Sequence, residues 1–158
     1  MKIGIVITVK NCVDYTKQCI ETIKTTEDYV IVLIDDFSDD GTKSYFKQLY
    51  NERTDVIILT DLETYSLAEK WNTGIDAAIG DNCDAFLVCN NDIIFNKHTI
   101  DLLAERLQLS QETNEHMGMV TAHNVKDSVS VDDIEEYPAV VDGTEAPSPD
   151  FSCFLLIN

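Results

Sequence analysis

At 158 residues and 44% hydrophobic, the chain is long enough for one α/β domain whose sheet is covered on both faces. With 11 Lys and Arg against 29 Asp and Glu, the formal charge is −18; this field repels nucleic acid, and no basic stripe relieves it. An anionic ligand therefore needs a local device: a metal ion, a helix N-terminus or backbone N–H groups.

The opening residues, Met1-Lys2-Ile3-Gly4-Ile5, read as a strand and not as a signal peptide. No apolar run approaches the ~20 residues of a membrane span. The five cysteines, Cys12, Cys19, Cys83, Cys89 and Cys153, are odd in number and scattered, without Cys-x-x-Cys. That pattern argues against a disulfide framework or a zinc site, and a reduced, cytoplasmic protein is expected.

In chain order, Ile3 to Thr8 is a β-branched run typical of a strand buried on both faces. Asp14 to Thr25 follows with Ile20 and Ile23 at helical spacing. Val30 to Ile34 is the second buried strand and leads into Asp35-Asp36. Thr42 to Tyr50 reads as a helix with Tyr45, Phe46 and Leu49 on one side, and Val56 to Leu59 as the third strand. Ser66 to Ile79 opens with the capping box Ser66-Leu67-Ala68-Glu69, and its apolar face is predicted to carry Leu67, Trp71, Ile75, Ala78 and Ile79. Ala85 to Cys89 is the fourth strand and delivers Asn90-Asn91-Asp92. Thr99 to Leu109 is a helix with Ile100, Leu103 and Leu107 inside. Met117 to Ala122 and Phe151 to Ile157 are the fifth and sixth strands, and the chain stops inside the last or just after it.

Alternating strands and helices predict a mostly parallel sheet flanked by helices on both faces, in a single domain over 1–158. One segment breaks the alternation. Residues 127–150 hold eight acidic residues, no Lys or Arg, and all three prolines, and read as a loop.

Ligands of such sheets bind outside the carboxyl ends of the strands. The polar clusters fall there: Thr8 to Asn11, Asp35 to Asp40, and Asn90 to Asp92. In the second cluster, Ser38, Asp39 and Asp40 are adequately explained as turn and cap residues. Asp35 and Asp36, at the strand's end, suit hydrogen bonding to a base or ribose. Asn90-Asn91-Asp92 taken alone is an Asx-rich turn. Its carboxylate is also well placed for Mg²⁺ or Mn²⁺, hard cations that keep waters and substrate phosphates in their shell.

Taken together, these segments resemble family-2 glycosyltransferases. Ile5-Val6-Ile7-Thr8-Val9-Lys10-Asn11 is similar to the family's first strand and loop, with Thr8 where a proline is common. Ile34-Asp35-Asp36-Phe37-Ser38-Asp39-Asp40-Gly41-Thr42 resembles its D-D-x-S-x-D-G-T signature, and Trp71-Asn72-Thr73-Gly74-Ile75 its N-x-G-I segment. Phe86 to Asp92 is similar to the strand ending in a D-x-D-type motif, and Asp150 to Ile157 to the strand entering the acceptor half.

The resemblance implies a Rossmann-like GT-A fold, apparently truncated, and a hexosyltransferase-type activity using an NDP-sugar, expected to be UDP-linked. It implies that Thr8, Asn11, Asp35 and Asp36 contact the nucleoside, that Asn90 and Asn91 lie beside the ribose and diphosphate, and that Asp92 binds Mn²⁺ or Mg²⁺. Asn72 is expected to be structural, tying its helix to a neighbouring loop; Ser66 is a weaker candidate for the base pocket. The acceptor would be a hydroxyl of a glycan, lipid or protein. The family's catalytic base is expected beyond Asn158, with Asp150 as a substitute source, so a non-catalytic donor-binding module is the alternative reading. Trp71 stands where many members carry a small or basic residue, and its apolar neighbours suggest core. His98, His116 and His123 are too dispersed for a metal cluster. The chain lacks G-x-G-x-x-G and the P-loop pattern, which argues against a nicotinamide or P-loop enzyme. A nucleotidyltransferase fits less well, because Val9-Lys10-Asn11-Cys12 is not the basic, glycine-rich loop such enzymes carry.

Overall fold

The computed structural model describes residues 1–60, 66–113, 117–122 and 153–157. The acidic segment 127–150, Asp150, His116 and His123 lie outside the described residues. The elements are β1 (Lys2–Val9), α1 (Val13–Thr22), β2 (Asp28–Asp35), α2 (Thr42–Glu52), β3 (Val56–Leu59), α3 (Leu67–Gly80), β4 (Ala85–Asn90), α4 (Thr99–Glu112), β5 (Met119–Thr121) and β6 (Cys153–Ile157).

The strands form one sheet in the order β3-β2-β1-β4-β6-β5. β1 to β4 are mutually parallel, and β6 runs antiparallel to both β4 and β5. The α/β architecture is thus mixed but mostly parallel, as the alternation predicts. From β1 the chain winds outward to β2 and β3, then returns to place β4 on the other side of β1. The reversal makes the β1–β4 junction the topological switch point, where a crevice opens at the carboxyl ends. Thr8 lies in register with Ile34 on one side and Asn90 on the other, and Val9 with Asp35.

The alternation of side chains across the sheet splits the core in two. Ile3, Ile5, Ile7 and Val9 point into the larger cluster, which includes Cys19 and Ile20 of α1, Phe46 and Leu49 of α2, and Ile100, Leu103 and Leu107 of α4. The opposite face buries Val6, Val30, Val32, Ile34, Phe86 and Val88, with Ala78, Trp71 and Ile75 of α3 packed on it. Three helices cover one face and α3 the other.

The capping box at the start of α3 forms as predicted: the Ser66 hydroxyl accepts from the Glu69 N–H, and the Glu69 carboxylate accepts from the Ser66 N–H. The inward face of α3 differs from the predicted one. Lys70, Gly74 and Ala78, spaced i, i+4, i+8, are its buried residues, while Leu67 and Ile79 are exposed. The cause is a close approach of helix to strand. A Cβ on Gly74 would sit 2.4 Å from Val6 Cγ1 and 2.7 Å from Ile34 Cδ1, and one on Gly4 would sit 2.4 Å from the Ala78 Cβ. The small residues set the contact line, so the stripe centres on them and carries Lys70 inward.

Candidate functional site

The turn after β2 is cross-linked to the turn after β1. The Asp36 N–H donates to the Val9 carbonyl at 2.8 Å, extending the β1–β2 ladder by one bond. The Asn11 N–H donates to Ser38 Oγ at 2.8 Å, and Asn11 Oδ1 accepts from the Asp39 N–H at 2.8 Å. This reciprocal pair leaves Asn11 at φ 60° and its neighbour Cys12 at φ 59°. Asparagine tolerates that region better than most residues.

Asp40 joins two helix starts. Its Oδ2 accepts from the Val13 N–H at 2.9 Å, and its Oδ1 from the Thr42 hydroxyl at 2.6 Å and N–H at 3.2 Å. The Thr42 hydroxyl, then the Val13 N–H, hold the Asp40 carboxyl below its ordinary pKa. Ser38 and Asp40 thus do turn and cap work, but Asp40 caps α1 as well as its own helix, from 27 residues away.

The two adjacent aspartates are placed differently. Asp35 is 1% exposed; its Oδ1 accepts from the Ser38 N–H at 3.1 Å, and Lys43 Nζ stands 3.9 Å from its Oδ2. Asp36 faces the crevice between two ammonium groups. Lys70 Nζ lies 2.7 Å from Oδ1 and Lys10 Nζ 3.6 Å from Oδ2. The Lys70 hydrogen bond is the main reason the Asp36 carboxyl titrates below its ordinary value. Lys70 was not singled out from the sequence. Its signal is the i, i+4 spacing to Gly74, a lysine on a stripe otherwise made of small residues.

At the end of β4, Asn91 is tied across the switch point. Its Nδ2 donates to the Asn11 carbonyl at 3.3 Å and to Thr16 Oγ1 at 3.0 Å. The Asn90 carbonyl accepts weakly from the Cys19 thiol at 3.8 Å. Asp92 is exposed, with no hydrogen bond or ion pair to another described side chain. Asn72 is exposed on α3, and Thr8 is half-buried within the ladder.

The turns therefore bring Thr8, Asn11, Asp35, Asp36, Asn90, Asn91 and Asp92 to the carboxyl edge of β1, β2 and β4. Of these, Asn11 and the Asn91 amide nitrogen are engaged in holding loops together, while Asp36 and Asp92 present carboxylates. Among the described residues no group of three or more His, Cys, Asp or Glu forms a metal cage. A lone exposed carboxylate suits Mg²⁺ or Mn²⁺ whose remaining ligands are waters and phosphate oxygens. Two open depressions lie beside α2, one lined by Lys43, Phe46, Lys47, Tyr50, Ile58 and Thr60, the other by Cys12, Val13, Asp14, Tyr15 and Asp40. Neither includes Asp36 or Asp92.

The family described as "Glycosyl transferase family 2" matches residues 4–122. No curated protein matches the chain. Among solved structures, the chain is similar to the mannosyltransferase PcManGT from Pyrobaculum calidifontis in complex with GDP-Man and Mn²⁺, at 15% identity and a TM-score of 0.66. That match covers 78% of this chain and 35% of the other. It is also similar to S. aureus TarS 1–349 in complex with UDP-GlcNAc, at 19% identity and a TM-score of 0.59, covering 81% of this chain and 38% of that one. These likenesses show a GT-A type of fold. The chain spans little more than a third of either protein's length.

Proposed function

Since the chain belongs to glycosyl transferase family 2, we propose that it binds a nucleotide-diphosphate sugar, UDP-linked, in the crevice between Asp36 and Asp92, for transfer of a hexose to an acceptor hydroxyl. The observation that carries the reading is the order of groups at Asp36: ammonium, carboxylate, ammonium. As hydrogen-bonding groups these are donor, acceptor, donor. The uracil imide edge presents acceptor, donor, acceptor, the complement of that array. Guanine's edge presents acceptor, donor, donor, which sets an amino group against one ammonium. The two solved relatives hold GDP-Man and UDP-GlcNAc respectively, so likeness of fold alone does not choose between the bases.

At the other end of the crevice, Asp92 would hold a divalent cation, which when bound stabilises charge on the diphosphate. Such a device answers the −18 charge of the chain, which otherwise opposes an anionic ligand. Asn91 keeps the β4 turn against α1, and Lys70 keeps the Asp36 carboxylate ionised and aimed.

Calorimetric titration with UDP and GDP, each with Mn²⁺ and with a chelator, tests the proposal. UDP should bind more tightly than GDP, and chelation should weaken both. Binding of neither nucleotide in saturating Mn²⁺ would end the donor reading, while tighter binding of GDP would overturn the base assignment alone.

A further inference from the structure

Phe37 takes no part in the contacts described so far, and two of its properties are individually unfavourable. Its φ is 56°, in the left-handed region, where the Cβ of a bulky L-residue crowds the following carbonyl. Its ring is 57% exposed, a large apolar surface left in water. The conformation is imposed from both sides: the Asp36 N–H is held by the Val9 carbonyl and the Ser38 N–H by the Asp35 carboxylate. A turn of this shape is served better by Gly, Asn or Asp. The turn therefore explains the backbone and leaves the phenylalanine unexplained.

The location supplies the reason. Phe37 directly follows Asp36, the carboxylate flanked by Lys10 and Lys70. A bound base offers an edge, which hydrogen bonds can read, and two faces, which only a flat apolar group can cover. We propose that Phe37 is a stacking platform for the donor's nucleobase, lying against its face while Asp36 and the two lysines meet its edge. This rests on the nucleotide-donor reading above. Strained residues that persist beside a binding site are the expected signature of such a role, and aromatic–base stacking is indifferent to which base is stacked.

The test is titration of the chain, Phe37→Asn and Phe37→Tyr with UDP and with pyrophosphate in Mn²⁺, alongside their melting temperatures. Asparagine accepts the left-handed conformation and removes the ring; tyrosine keeps the ring. Phe37→Asn should lose about tenfold in UDP affinity, within the range for one stacked base, with pyrophosphate affinity unchanged and melting temperature equal or higher. Phe37→Tyr should bind UDP within about twofold of the parent, since the stacking face is kept. Three results overturn the proposal: Phe37→Asn binding UDP as tightly as the parent, UDP and pyrophosphate weakening together, or Phe37→Tyr falling as far as Phe37→Asn. If the parent chain binds UDP and Phe37→Asn matches it, only the stacking role fails. If the parent binds no nucleotide, the donor reading fails and takes this inference with it.

Discussion

The two ends of the crevice are built on different terms. At the β1–β2 end, Asn11, Ser38, Asp39, Asp40 and Thr42 satisfy one another, and Asp36 is flanked by Lys70 and Lys10. At the β4 end only Asn91 is anchored, and Asp92 stands in solvent. One end is finished before any ligand arrives. The other holds an uncompensated carboxylate, which suits a site completed by a cation and phosphates. The lesson is that charge in this acidic chain is placed by function: pairing where shape must be kept, isolation where a cation is to be attracted.

The comparison is sharpened most by Asp92→Ala. If the β4 end exists to hold a cation, this change should weaken Mn²⁺-dependent UDP binding by about 100-fold, the upper end of what even a second-sphere ligand change does. Melting temperature should not move, because no described partner is lost. Equal affinities of parent and variant in saturating Mn²⁺ would break the comparison at that end.

Gly74→Ala attacks the other end through its support. The added Cβ meets Val6 and Ile34 at less than van der Waals distance. Overpacking of about 3 kcal/mol, less about 1 kcal/mol gained in helix propensity, leaves a net loss near 2 kcal/mol. Denaturant unfolding should show it, and UDP affinity should fall as α3 draws Lys70 away from Asp36.

Lys70→Met removes the ammonium alone. A loss of about 1–2 kcal/mol in stability is expected for a charge-assisted hydrogen bond at a partly buried site. Its pH dependence carries the sign. The Asp36 carboxyl is held below its ordinary value chiefly by Lys70. Its contribution is therefore present above the unfolded carboxylate pKa of about 3.9 and is lost as pH falls through the lower folded value. The deficit of the variant should be full at neutral pH and should shrink as pH falls below about 4. A deficit constant from pH 7 to 3 would show that Lys70 acts by packing.

Asn11→Gly should have the smallest effect. Glycine accepts φ 60° and the backbone bond to Ser38, so only the Asn11 Oδ1 bond to Asp39 is lost. The expected loss is about 0.5–1 kcal/mol, a shift of about 2–4 °C at most in thermal melting for a chain of this size. A larger fall in UDP affinity than in stability would instead make Asn11 a direct ligand contact.

The sequence made the scaffold legible because its signals are local. The strand runs, the Ser66–Glu69 box and the polar clusters after Val9, Ile34 and Cys89 are each contained within a few residues. What it did not disclose are pairings between distant segments. Asp40 capping Val13 spans 27 residues, and Asn91 reaching the Asn11 carbonyl spans 80. The inward turn of Lys70 was hidden for a related reason. An apolarity stripe ranks Leu67 and Ile79 as core, whereas a helix pressed against a strand is oriented by its smallest residues, Gly74 and Ala78. The resemblance assigned Asn11 and Asn91 to ligand, and the hydrogen bonds they make to each other's loops come from three-dimensional closure.

The place of β6 in the sheet has a kinetic consequence. β1 to β4 assemble from short βα crossovers, each closing a small loop. Cys153 reaches Cys89, its partner on β4, across roughly sixty intervening residues, and the entropy of that closure must be met before any ladder bond forms. β6 should accordingly dock last. Until it does, β4, with Ala85 to Cys89 all apolar, is an open sheet edge. An unpaired apolar edge is a template for a neighbouring chain, so refolding yield should fall with protein concentration, and the interval before β6 arrives is when this protein is most exposed to aggregation.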